Sequence, residues 1–191
     1  GPTEILYNSW TIPFENGSSS HTITDSQISI LNGTYSVNQS TSLGGSMKAD
    51  KLHILGSMWH GNSSQYHSSG DYKGGSTTIT TDTTYRGDWH EITFPFSLKL
   101  VDLLWMGRSG FNHRSPEQQY IFGSNDGTNW TLLKEHTTNG YAYGTSNNPN
   151  WATVPVNSSE SYTTFRHQIY SLQGSSDSDT VNMERVDLSG V

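Results

Sequence analysis

Gln118–Gln119–Tyr120–Ile121–Phe122–Gly123–Ser124–Asn125–Asp126–Gly127–Thr128–Asn129–Trp130–Thr131–Leu132–Leu133 decides the fold. Two β-favouring runs flank the polar tetrapeptide Asn125–Thr128. Asp-Gly is the strongest short-range hairpin signal, because glycine accepts the positive φ of a tight turn. Side chains alternate along a strand, so Tyr120 and Phe122 share one face and Gln119 and Ile121 the other. Trp130 opens the return strand, where a large ring can cap a core.

Outward from this hairpin the same grammar repeats. Trp89–Phe96 alternates Ile92, Phe94 and Phe96, with Pro95 expected at a strand end or edge. Leu98–Met106 changes phase near Leu100, which predicts a bulge there. Ser76–Thr81, Thr163–Tyr170 and Glu184–Leu188 read as further strands. Upstream, Ile28 and Ile30 alternate before Asn32–Gly33, and Thr34–Val37 follows as a return strand, which predicts a second hairpin. Lys51–Leu55 fits a strand or a single helical turn equally well. Polar loops fill 38–50, 61–75, 108–114, 137–151 and 174–180. No segment carries a 3.6-residue apolar stripe, and there is no internal repeat. Short strands between turn signals define an all-β sandwich.

Composition agrees. Of 191 residues, 31% are hydrophobic and 14% charged. Both fractions are low, which suits short strands with long polar loops. Residues 3–191 read as one domain, and Gly1–Pro2 as a protease-cleavage scar. The net charge of −7 argues against nucleic acid or an anionic membrane surface as partner. The absence of cysteine excludes disulfides, thiolate zinc sites and a cysteine nucleophile. No apolar run approaches the ~20 residues of a membrane-spanning helix. Six Asn-x-Ser/Thr sequons, at Asn16, Asn32, Asn38, Asn62, Asn129 and Asn157, permit a glycosylated surface protein.

The central hairpin also carries a resemblance. Its Gly-Ser-Asn-Asp-Gly-x-Asn-Trp pattern resembles the hairpin of discoidin domains, the coagulation factor V/VIII C-type domains, whose relatives include family 32 carbohydrate-binding modules. Gly87–Asp88–Trp89–His90–Glu91–Ile92–Thr93–Phe94–Pro95 is similar to that family's Gly-x-Trp-x-x-Ile-x-Leu-Pro. Leu98–Arg108, Arg114–Ser115–Pro116 and Met183–Gly190 resemble strands and junctions of the same domains. The likeness is good from Gly87 to Trp130 and weaker on either side. It implies a discoidin-like jelly-roll sandwich with long polar loops. The absence of cysteine departs from animal discoidin domains and points to a bacterial, viral or algal member.

The resemblance also implies a site. Trp59–His60 is similar to the Trp-His of galactose-binding family 32 modules, where the histidine bonds a sugar hydroxyl. Arg108 and Asn112 resemble the arginine and asparagine that clasp the same sugar. The chemistry fits, because a planar guanidinium can bind vicinal hydroxyls bidentately. The bland alternative pairs Arg108 with an acid such as Asp88 and leaves His60 merely exposed. Tyr66, Tyr72, Tyr141, Tyr143 and Trp151 lie in the two longest loops and could contact a glycan or pack the loops down. Arg86 and Arg114 could join the site, although Arg114–Ser115–Pro116 also reads as architecture at a strand start. The family often holds one structural Ca²⁺; Glu184 matches its glutamate, while the Asp-Gly before Trp-His is missing and only Asp50 lies near. Calcium needs several oxygen ligands, and two carboxylates are few.

No zinc-enzyme histidine spacing, nucleophile elbow or phosphate loop occurs. The expected function is therefore a non-catalytic, lectin-like module of a larger secreted, cell-surface or virion protein, binding a galactose-type glycan. The alternative is a structural or adhesive protein-interaction domain on the same fold. A glycan-active enzyme would need a carboxylate pair roughly 5–9 Å apart in a cleft.

Overall fold

The computed structural model describes residues 5–7, 19–24, 31–53, 57–140, 142, 150–174 and 179–191. Two antiparallel sheets enclose the core. The strands of the first are β1 (Ile5–Tyr7), β4 (Trp59–His60), β8 (Leu100–Gly107), β11 (Ala152–Pro155) and β13 (Asn182–Gly190). They run in the order β1-β13-β8-β11, with β4 also paired to β13. The second sheet holds β2 (Ser20–Ile23), β3 (Gly33–Gln39), β7 (Asp88–Leu98), β9 (Gln118–Ser124), β10 (Thr131–Thr137) and β12 (Tyr162–Ile169). Its order is β10-β9-β12-β7-β3-β2. A separate two-stranded ribbon is made by β5 (Thr77–Ile79) and β6 (Thr84–Arg86).

The central hairpin forms β9 and β10, with Gly123 opposite Thr131. Its connection is longer than a tight turn. Gly127 takes a φ of +73°, as expected. Asp126 organises the loop, its carboxylate accepting the N–H of Thr128 at 2.9 Å and of Asn129 at 2.7 Å. Ile121 points into the main core, while Tyr120, Phe122 and Trp130 form a second cluster on the outer face of the sheet. Trp130 thus covers the sheet's outside, not the sandwich interior.

The ribbon β5–β6 is what covers that face. Tyr85 meets the Tyr120 and Phe122 rings edge-on at 4.9 and 5.2 Å. Gln168 donates to the carbonyls of Tyr85 and Gly87 at 3.3 and 2.9 Å. β12 is consequently buried on both faces from Thr164 to Ile169, which hides its alternation from a reading of the sequence.

Pro95 lies inside β7 and not at its end. The β3 pairing stops at Ser36 opposite Thr93, and the β12 pairing skips from Thr93 to Leu98. Pro95 occupies that unpaired interval, so its missing N–H costs no ladder bond. The phase change near Leu100 is real: Ser189 faces Asp102 and Gly190 faces Leu100. The Val101 carbonyl instead accepts the N–H groups of Val156 and Asn157 at 2.8 and 3.0 Å.

One expectation is corrected and one alternative is settled. The partner of β3 is β2, with Ser20 opposite Ser36; Ile28 and Ile30 lie outside the described residues. Leu31 is buried, its carbonyl accepting the Tyr35 hydroxyl at 2.8 Å. Of Lys51–Leu55, residues 51–53 belong to a helical turn, a 3₁₀ segment at Ala49–His53 whose residues are all buried, while 54 and 55 lie outside the described residues. Leu52, Trp59, Trp105, Ile121 and Phe165 are among the side chains filling the space between the sheets.

Candidate functional site

One end of the sandwich gathers polar side chains from three chain segments. β4 and β13 place His60 directly opposite Asn182. β8 ends at Gly107, which puts Arg108 at the sheet edge, and the chain then returns through a 3₁₀ turn at Asn112–Arg114. Asn182 is the hub. Its Nδ2 donates to the Trp59 carbonyl at 3.0 Å. Its Oδ1 accepts from Arg114 Nη1 at 3.0 Å and, more loosely, from Arg108 Nη1 at 3.4 Å. Phe111 lies under both guanidiniums, whose carbons stand 3.9 Å (Arg108) and 4.6 Å (Arg114) from its ring centre. Such stacking holds the two cations in place.

His60 is buried, not merely exposed. Its Nδ1 donates to the Gly61 carbonyl at 2.7 Å, and Arg114 Nη1 donates to its Nε2 at 3.2 Å. Those two partners define a neutral Nδ1-protonated ring. Burial pushes the imidazole below the usual histidine range, against the Gly61 hydrogen bond, and the charges of Arg114 and Arg108 add to that push while Asp179 opposes it. Burial and the neighbouring Arg114 likewise lower Arg108, with Glu184 opposing. Glu184 Oε1 accepts the Ser109 N–H at 3.2 Å and so steadies the loop after Arg108. The Oδ1 of Asn112 is buried and meets no donor among the described residues.

The structure therefore brings His60, Arg108 and Asn112 to one end, with Phe111, Arg114 and Asn182 beside them. Asn182 carried no signal in the sequence. Arg108 and Arg114 flank Phe111 at three residues on either side, a spacing that could have marked the ring as their platform. The other residues singled out lie elsewhere. Trp59 is fully buried, its indole N–H bonded to the Thr41 carbonyl at 3.0 Å. Tyr66 and Tyr72 hold the 61–75 loop down: Tyr66 donates to the Ile169 carbonyl at 2.8 Å, and the two rings meet at 5.0 Å. Arg86, at the end of β6, anchors the same loop by donating to the Gly74 carbonyl at 2.8 Å. Tyr141 and Tyr143 lie outside the described residues.

The carboxylates are committed to other partners. Asp88 is buried beneath hydroxyls, accepting from Ser40 and Thr41 at 3.0 Å each and from Tyr72 at 3.3 Å. Burial raises its pKa and those hydroxyls oppose the rise. Asp88 is therefore no partner for Arg108. Glu91 pairs with Arg166 at 3.0 Å on the outer face. Asp50 pairs with Lys51 at 2.7 Å, both buried. Asp50 is thus held by an ammonium and Glu184 accepts a backbone N–H. Among the described residues no group of three or more histidines and carboxylates is placed to hold a metal ion.

No protein-family model matches the chain. No curated protein sequence matches it either. Solved structures do. A family 32 carbohydrate-binding module of NanJ from C. perfringens, in complex with galactose, aligns with a TM-score of 0.54 and 14% identity, over 81% of this chain and 93% of that one. A second such module from Clostridium perfringens, in complex with GalNAc-β-1,3-galactose, aligns at 0.54 and 13%, over 81% and 94%. A third, from a family 31 glycoside hydrolase of Clostridium perfringens, aligns at 0.59 and 11%, over 93% and 94%. The fold of this chain is that of the family 32 carbohydrate-binding modules.

Proposed function

We propose that this chain is a non-catalytic carbohydrate-binding module. Its glycan, a galactose-type sugar, binds at the end where His60, Arg108, Asn112 and Arg114 meet, and the module belongs to a larger secreted or surface protein. The observation that carries the reading is the pair of guanidiniums fixed over Phe111 beside Asn182. Forked donors held in place beside an aromatic ring suit the hydroxyls and C–H face of a pyranose. The sugars named with two structural neighbours, galactose and GalNAc-β-1,3-galactose, suggest the ligand class. A glycan array of the isolated domain, followed by calorimetry of Arg108→Ala against the selected sugar, tests it. Each charge-assisted hydrogen bond lost costs ~1.5–3 kcal/mol, enough to abolish detectable binding by a weak single-site module. Full-strength binding by Arg108→Ala with an unchanged melting curve would place the site elsewhere.

A further inference from the structure

A second cleft lies far from this end, between the β5–β6 ribbon and the central hairpin. It consists of two adjoining cavities of about 310 Å³ each, which share Thr80, Thr81, Trp130 and Thr131. Ile79, Thr128 and Asn129 complete the first. β9 separates the cleft from the Arg114 end: the strand begins shortly after Arg114, and its seven residues span about 20 Å before the Trp130 loop. The two places cannot share one small ligand.

Both walls are fixed in advance. On the hairpin side, Asp126 ties down the backbone of Thr128 and Asn129, and its carboxylate also accepts the Asn129 side-chain amide at 2.6 Å. The Trp130 ring is backed by the Arg166 guanidinium, 4.0 Å from its centre. On the ribbon side, Thr78 accepts from Arg166 at 3.0 Å, and Tyr85 packs on the outer aromatic cluster. Despite this anchoring, Ile79 is left 61% exposed. Only it and Leu43 are exposed large hydrophobics among the described residues. Ile79 therefore gives the rim of the cleft an exposed apolar side chain beside the Trp130 indole.

The lining names the ligand class. It offers the hydroxyls of Thr81, Thr128 and Thr131 and one amide beside an indole, a tyrosine ring, an isoleucine and a leucine, and its one charged residue is Asp82. No lysine, arginine or histidine lines it, so it offers a phosphate, sulfate or uronate no opposite charge. Neutral hydroxyl and amide partners beside an apolar surface match an uncharged saccharide, whose rings have polar edges and C–H faces. Ile79–Asp82 of the ribbon and its turn face Thr131 and Leu132 of β10 across the cleft. We propose that this cleft is a second binding subsite, for a neutral oligosaccharide of at least two units. The proposal stands independently of the Arg108 site.

The test is residue-resolved amide NMR of the wild-type chain and Arg108→Ala. Each is titrated with cellotetraose, chitotetraose and β-1,4-galactotetraose to about 10 mM, which populates a site of millimolar Kd. At least one sugar is expected to move the amides of 79–82 and 128–132 in both proteins. Ile79→Ser should weaken that response about fivefold or more without lowering the melting temperature, because it removes exposed apolar contact and no packing. The proposal is overturned if none of the three sugars moves those amides, if Ile79→Ser binds as tightly as the wild type, or if an uncharged Thr-Val hexapeptide moves them while the sugars do not.

Discussion

Arg114 Nη1 donates to His60 Nε2 at 3.2 Å, so the imidazole lone pair expected to meet a sugar hydroxyl is already engaged by the protein. In this arrangement His60 acts by holding a guanidinium in position. Arg114→Ala is then expected to weaken glycan binding at least as much as His60→Ala does. Burial and the two arginines keep the ring neutral below its usual range. The acid loss of affinity should accordingly fall below pH ~6.5, the ordinary histidine midpoint. Calorimetry between pH 4.5 and 7.5 reads both effects. A midpoint at or above 6.5 would mean that His60 is free to take a proton at its normal affinity.

The fold was largely legible because turn chemistry and alternation survive wherever one strand face is wet. Asp126–Gly127 and the run Ile92/Phe94/Phe96 announced β9–β10 and β7 directly. β12 was announced by its β-branched and aromatic residues, but its burial on both faces was not. The ribbon that covers it makes its contacts over more than eighty residues of sequence, as between Arg166 and Thr78. The site was half legible. His60, Arg108 and Asn112 sit on recognisable motifs, while Asn182 joins them only because β13 lies between β4 and β8. Tyrosine content misled for the 61–75 loop, since Tyr66 and Tyr72 spend their hydroxyls on the loop's own anchoring.

Calcium is open to a direct test. Asp50 faces Lys51 and Glu184 faces Ser109, so chelation is expected to leave the melting temperature unchanged. An ion bound only to the folded chain would stabilise it by mass action. A fall of several degrees under EDTA that added calcium reverses would show that Glu184 and backbone oxygens do hold one.

Arg166 is the most heavily used side chain on the outer face. Its guanidinium carbon stands 3.6 Å from the Trp89 ring centre and 4.0 Å from that of Trp130. Nε and Nη2 both meet Glu91 Oε2 at 3.0 Å. Removing one partner of a buried pair costs ~3–5 kcal/mol, because the other charge is left stranded. Arg166→Ala should lose about that much, and Arg166→Lys should recover little of it, since an ammonium cannot stack flat between two indoles. Urea denaturation decides; a loss under ~1 kcal/mol for Arg166→Ala would show that the sandwich is ornamental to stability.

Three histidines lie buried between the sheets and give the domain a built-in acid sensitivity. His90 Nε2 and His167 Nδ1 are 2.9 Å apart, so one ring must donate and the other accept. His167 Nε2 lies 2.6 Å from Gln119 Oε1, an acceptor, and therefore donates to it; its Nδ1 is then the acceptor for the His90 N–H. That chain of bonds requires a neutral His167, which donates from one nitrogen and accepts at the other, and burial favours a neutral His90 beside it. Burial lowers His167 to about 3, assisted by His136, and His53 to about 3, assisted by Arg185. Burial also drives His90 well down, with His167 and His53 adding to it. In the unfolded chain all three titrate near ~6.5. Above that pH neither state takes a proton, and stability is at its plateau. Below it the unfolded chain gains protons that the folded chain refuses, so stability falls with pH, and goes on falling towards pH 3. Each histidine contributes a slope of up to ~1.4 kcal/mol per pH unit, or ~4 for three together. Urea denaturation at pH 7.5, 6.5, 5.5 and 4.5 should show a plateau followed by this decline. His90→Gln should shallow the slope by about one proton's worth. A stability flat from pH 7.5 to 4.5 would mean that the buried rings accept protons in the folded state, and the neutral ladder would be wrong.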